Sequence, residues 1–220
     1  MLRMVSRYRL RALVMAAVWC VSILGLPLSA VSARVTALTS LDAAAQATAP
    51  ARRLSTLLVV DGDSGVIVDL NLMVTAAGVC HFHTASDRSP LPDPSCTPGV
   101  ISARVTQDDL STTICASGYT ATVRPSSSAT NKVKALNYIA YAETPDPRDE
   151  NDHLVPLELG GANDPRNLWN EPPMTGQLST TNPKDTVENK LHALVCAGTM
   201  TLADAQHRIA TDWTTALLGT

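Results

Sequence analysis

Four cysteines, Cys80, Cys96, Cys115 and Cys196, limit the fold of this chain more tightly than any other feature. What they can do depends on compartment, and the first 33 residues bear on that. Arg3, Arg7, Arg9 and Arg11 form a basic head with no acid. Ala12 to Leu28 are almost wholly apolar, and Val31-Ser32-Ala33 offers small residues in the spacing of a signal peptidase site. The apolar run is about 18 residues long and broken by Pro27, at the lower limit for a membrane span. The pattern predicts a signal peptide over residues 1–33, a mature start at Arg34, and a secreted or cell-envelope protein without a membrane segment after cleavage. Cys20 follows the bulky Trp19, which suits lipid attachment badly. In an oxidising compartment the remaining four thiols predict two disulfides, with all three pairings open. A zinc site at Cys80, His81 and His83 is the rival, but Cys-His-x-His lacks the paired spacings of structural zinc sites.

Composition excludes several classes. A hydrophobic fraction of 45% and a charged fraction of 17% rule out disordered, collagen-like and coiled-coil chains. With four Tyr, three Trp and one Phe, the core must rest on Leu, Val, Ile and Ala. The formal charge is −3, and setting aside the four leader arginines leaves 13 basic residues against 20 acidic ones, a net −7. That balance excludes a general nucleic-acid coat, so any action on nucleic acid must come from a local site.

Along the chain, residues 34–53 read as an Ala/Thr/Ser linker and residues 54–88 as a β-prone extension. Ser55 to Val60, the turn Asp61-Gly62-Asp63-Ser64-Gly65, and the alternation Val66, Val68, Leu70, Leu72, Val74 predict a hairpin. The turn lacks the later ligands of a calcium loop. Prolines 90, 92, 94 and 98 mark a loop, Tyr119 to Arg124 is β-prone, and residues 131–141 suit a helix. Near the end, Asn182-Pro183-Lys184-Asp185 opens a helix carrying Val187, Leu191, Leu194 and Val195 on one face, and Gly198 closes it. Thr201 and Asp204 open a second, with Leu202, Ala205, Ile209, Trp213 and Leu217 as its apolar stripe. The two helices are expected to pack as a pair.

Chemistry concentrates in Glu150-Asn151-Asp152-His153-Leu154-Val155-Pro156-Leu157-Glu158-Leu159-Gly160-Gly161, followed by Asn167-Leu168-Trp169. Asp152 offers an anionic oxygen to a hard cation. His153 beside it can take a proton from water near neutral pH. Asn167 can pin the loop and fix the imidazole's orientation. Glu150 shares a strand face with Asp152. Glu188 and His192 lie four apart on one helix face, within reach of a metal or simply solvated.

This order of residues resembles the HNH endonuclease motif, a ββα unit around one divalent metal. Asp152-His153-Leu154-Val155-Pro156, Gly160-Gly161 and Asn167-Leu168-Trp169 carry the resemblance. Asp93-Pro94-Ser95-Cys96-Thr97-Pro98-Gly99, Thr113-Ile114-Cys115, Gly118-Tyr119-Thr120, Val123-Arg124-Pro125, Lys184-Asp185 with Glu188-Asn189, and Val195-Cys196-Ala197-Gly198 extend it to a group of secreted bacterial HNH-like proteins. It implies an α+β fold in which an HNH-like domain at 89–220 holds the ββα-metal unit and a C-terminal helix pair. It implies Asp152 as a metal ligand, His153 as general base and Asn167 as the middle Asn of the motif. No Cys-x-x-Cys-His segment follows Asn167, which leaves Asn182 as the best-placed last ligand, with Glu150, Glu188 and His192 as alternatives or supports. The activity implied is metal-dependent hydrolysis of phosphodiester bonds in nucleic acid, with one Mg, Mn or Zn ion. The alternative is a non-catalytic exported binding or envelope protein on the same scaffold.

Overall fold

Three two-stranded sheets and four helices, counted among the described residues, make a mixed α+β fold. The computed structural model describes residues 57–60, 65–67, 69–72, 76–174 and 182–220, all within the unit Leu54–Thr220. The expected signal peptide, its Cys20 and the linker lie outside the described residues, as does the turn at 61–64.

Among the described residues the predicted N-terminal hairpin is not seen. Strand β1 (Leu58–Val60) pairs in parallel with β4 (Val100–Ser102), and Leu70–Leu72 is a 3-10 turn rather than a strand. Local alternation lost to a non-local partner: β4 is half-buried or better and needs its outer edge paired, and β1 supplies it. A second short ribbon joins β2 (His83–Thr84) to β3 (Pro90–Leu91) inside the proline-rich stretch.

Tyr119 to Arg124 also departs from expectation. Residues Tyr119–Val123 form helix α1, entered through Gly118 and stopped before Pro125, which excludes a helical Arg124. Its five residues are too few for β propensity to outweigh the turn chemistry at either end. The helix expected at 131–141 is α2, Ser127–Ala140, starting earlier because the Ser126 side chain accepts the Ala129 N–H. The two C-terminal helices form as read. Helix α3 spans Pro183–Cys196 behind an Asn182 cap, and α4 spans Leu202–Asp212 behind a Thr201 cap.

Two disulfides select one of the three pairings: Cys80–Cys96 and Cys115–Cys196, with Cα atoms 6.1 and 5.7 Å apart. The first leaves no Cys80 thiolate for a zinc site. It sits in a small cluster with Ala140, Tyr141 and Phe82, whose ring stacks on Tyr141 at 4.4 Å. The main core joins Val155 and Leu159 to Leu191 and Val195 of α3 and to Ile209 and Trp213 at the end of the chain. No helix among the described residues is long and apolar enough to cross a membrane.

Strands β5 (Glu150–His153) and β6 (Leu168–Glu171) form an antiparallel pair in which Glu150 faces Glu171, Asp152 faces Trp169 and His153 faces Leu168. Helix α2 is hooked onto one face by asparagines: Asn151 donates to Thr130 O at 2.6 Å, Asn170 to Lys134 O at 2.9 Å, and Asn137 to Leu168 O at 3.0 Å. Alternation then turns Glu150, Asp152, Trp169 and Glu171 to the other face. The start of α3 meets that face.

Candidate functional site

Between β5 and β6 the chain folds on itself at the glycine pair. Gly161 can be nothing else, because a Cβ there would lie 1.7 Å from Val155 O. Gly160 has φ +73° and approaches Val105 so closely that a Cβ would sit 2.8 Å from its side chain. Asn167 locks the loop with four bonds. Its Oδ1 accepts from Val100 N (3.2 Å) and Val155 N (3.0 Å), and its Nδ2 donates to Val155 O (2.9 Å) and Ala162 O (3.0 Å). All four partners are backbone, so Asn167 pins the loop while another residue orients the imidazole.

That residue is Asn163, fully buried. Its Nδ2 donates to Val123 O at 2.7 Å, which turns Oδ1 toward His153 Nε2 at 2.9 Å. An oxygen there can only accept, so Nε2 carries the proton and the neutral ring keeps its lone pair on Nδ1. Among the described residues Nδ1 has no hydrogen-bond partner. Burial lowers the pKa of His153 to about 4, against the opposing pull of the Asn163 bond and the Asp152 charge. Arg124, next to the Val123 carbonyl that Asn163 holds, lies in electrostatic range of both His153 and Glu158.

On the other face lies a buried ionic cluster. Lys184, in the first turn of α3, is fully buried. Its Nζ sits 2.7 Å from Asp152 Oδ2, donates to His153 O at 2.9 Å, and bonds Glu188. Burial opposes the ammonium charge, but Asp152, Glu188 and Glu171 outweigh it and raise its pKa. Trp169 Nε1 donates to the same Asp152 Oδ2 at 3.0 Å. Burial, followed by the charge of Asp152, raises the pKa of Glu150, Glu171 and Asp185; burial also raises Glu188 and Glu158. Carboxylates thus outnumber the one ammonium. Glu171 is 3% exposed, and its Oε2 has no hydrogen-bond partner, nor does Glu158 Oε1.

The sequence-based candidates therefore divide. Asp152, Glu150, Glu188 and Asn182 come together around Lys184. Asn182 caps α3 through Oδ1, which accepts Lys184 N at 2.9 Å, and its side chain is near enough to Glu150 and Glu171 to oppose the rise in their pKa. His192 points elsewhere: its Nε2 lies 2.8 Å from Ile114 O and 3.3 Å from Cys196 Sγ. Cys115, His192 and Cys196 place three ligand atoms within 4.8 Å of one another, a group that could hold a metal ion. While the two sulfurs are joined, their thiolates are not available, so such a site requires the reduced chain.

Sequence reasoning missed Asn163, Glu171 and the burial of Lys184. The register of a hairpin would have shown Glu171 opposite Glu150, and a Lys followed four residues later by Glu is an ion-pair spacing. A cavity of about 260 Å³ beside Phe82, Tyr138 and Tyr141 is lined by neither His153 nor Lys184. Comparison with protein-family models, with curated proteins and with solved structures finds no match.

Proposed function

We propose that this chain is an exported, metal-dependent nuclease of the HNH type that hydrolyses phosphodiester bonds, with His153 as the general base. One observation carries the reading: a buried, neutral His153 has its proton tied to Asn163 and its Nδ1 lone pair without a protein partner, one residue from the Asp152 carboxylate. Nδ1 takes the proton of an attacking water. Arg124, exposed and in electrostatic range of His153, would meet a phosphate and supply local positive charge to an acidic chain. Asn167 and the glycine pair hold the strand that carries the base. The leader pattern and the two disulfides support export.

The donor set around Asp152 fits a hard divalent cation such as Mg or Mn. It is all oxygen, carries more carboxylates than positive charges, and includes the unpartnered Glu171 Oε2. Asp152 would hold the ion, with Glu188 and Glu171 beside it. When bound, the ion would stabilise charge on the phosphoryl and leaving oxygens.

A second reading has its own support. Lys184 already fills the cation position at Asp152, which suits a non-catalytic binding or envelope protein on the same scaffold. Cleavage of plasmid DNA and of RNA by the oxidised protein, with Mg, Mn or EDTA, separates the two. The nuclease reading expects metal-dependent cleavage that falls 10²–10⁴-fold in H153A with metal stoichiometry retained, and D152A losing both. An H153A variant as active as the parent overturns the mechanism. No bound divalent ion and no cleavage leave the scaffold reading.

A further inference from the structure

We propose that Asn163 is the positioning residue of this site: one buried carboxamide fixes the tautomer of His153 and, through its other end, holds Arg124 beside that base. The inference rests on the general-base role proposed above and adds what prepares the base.

Both ends of the carboxamide are committed. Nδ2 reaches Val123 O at 2.7 Å and Oδ1 reaches His153 Nε2 at 2.9 Å. Flipping the amide would set oxygen against oxygen at Val123, so only one orientation is stable. The residue is fully enclosed, and breaking either bond would strand a buried polar group. The consequence for His153 is that Nε2–H is imposed and Nδ1 is the basic atom. In the opposite tautomer two lone pairs would meet at Asn163, and Nδ1, carrying the proton, could not accept one from water.

The other end acts on the chain after α1. Val123 is the last residue of that helix, and Arg124 follows in extended conformation before Pro125. Gly65 approaches the next peptide, since a Cβ at Gly65 would lie 3.2 Å from Arg124 O. The Arg124 backbone is therefore gripped on both sides, and its exposed side chain starts from a fixed point near His153. Asn163 lies ten residues beyond His153, just past the glycine pair that returns the chain, which explains how so short a connection brings it to the imidazole.

The test compares the parent with N163A and N163D. N163D keeps an acceptor for Nε2–H and, once ionised, cannot donate to Val123 O. Long-range ¹H–¹⁵N spectra of the oxidised protein in EDTA, at about pH 8 and above the ordinary imidazole range, report the His153 tautomer independently of any activity. The parent is expected to show a single Nε2–H tautomer, N163D to keep it, and N163A to show two exchanging forms. On an oligonucleotide, N163A is expected to lose kcat on the order of 10²-fold. N163D should mainly raise KM, because the Arg124 support is lost while an acceptor for Nε2–H remains. An Nδ1–H tautomer in the parent overturns the proposal, and so does a pure Nε2–H tautomer in a folded N163A. If N163A does not fold, the parent and N163D spectra decide: loss of the Nε2–H form in N163D overturns it. A parent that shows the Nε2–H tautomer but cleaves nothing refutes the nuclease reading while leaving the Asn163–His153 link standing.

Discussion

Helix α3 buries one side whose two ends are chemically opposite, an apolar face near its C-terminus and an ionic face near its start. Leu191 and Val195 sit at 0% and 1% exposure against Val155, Leu159, Ile209 and Trp213. About two to three turns earlier, Lys184 is equally buried among Asp152, Glu171 and Glu188. The apolar face gains free energy in proportion to the area it removes from water. In the ionic face the attraction between charges has first to offset the cost of desolvating them, and the net gain is small or negative. Side chains of similar volume without charge would stabilise the second face at least as well. The contrast therefore separates a face that holds the fold together from one whose carboxylates are read as serving chemistry.

Breaking each face in turn gives the largest effects. K184M strands buried carboxylates and should cost about 3–5 kcal/mol in urea unfolding at neutral pH in EDTA. The triple variant K184M/D152L/E188L should recover most of that loss. L191A should cost about 3 kcal/mol, with no dependence on EDTA or divalent metal. A K184M loss below about 1 kcal/mol, within the range of surface ion pairs, would erase the distinction.

Acidity sharpens the comparison further. Glu171 has its pKa raised by burial and by Asp152 to about 9, so the folded state holds a proton that the unfolded chain releases above its ordinary carboxyl pKa of 4.5. Its contribution to stability is full below 4.5 and is lost as pH rises toward about 9. E171Q should remove that decline, a difference on the order of 2 kcal/mol across the window after structural relaxation. Melting temperatures from pH 5 to 9 in EDTA test it; a decline equally steep in E171Q would assign the slope to other groups.

The smallest effects distinguish the two helix caps. T201A should cost about 1 kcal/mol, the worth of one capping bond. N182A should cost more, because Asn182 also acts on Glu150 and Glu171 within the ionic face. Equal losses in chemical denaturation would place Asn182 outside that cluster.

These contrasts follow what was legible in the sequence. The apolar face of α3, the stripe of α4 and both caps could be read because helical periodicity and capping are local. The pairing of β1 with β4 could not, since a three-residue strand takes its partner from some 40 residues away. Helix α1 was hidden by its β-branched threonines and valine. Within the site, Asp152, His153 and Asn167 stood out as a spaced motif. Asn163 did not, because asparagine after a glycine turn is ordinary loop chemistry until the fold shows what it touches. Lys184 was read as part of a helix start, and only the approach of β5 and β6 makes it a buried ion.

The Cys115–Cys196 bond spans 81 residues, and that interval contains α1, α2, both strands of the candidate site and nearly all of α3. In covalent terms the candidate site is a macrocycle carrying two tails. A protease that cuts one peptide bond inside the ring opens it without releasing a fragment. On a denaturing gel without thiol the nicked protein keeps its full mass, and the two pieces part only on reduction. After a first cut the strand bearing Asp152 and His153 thereby stays tethered to the helix bearing Lys184.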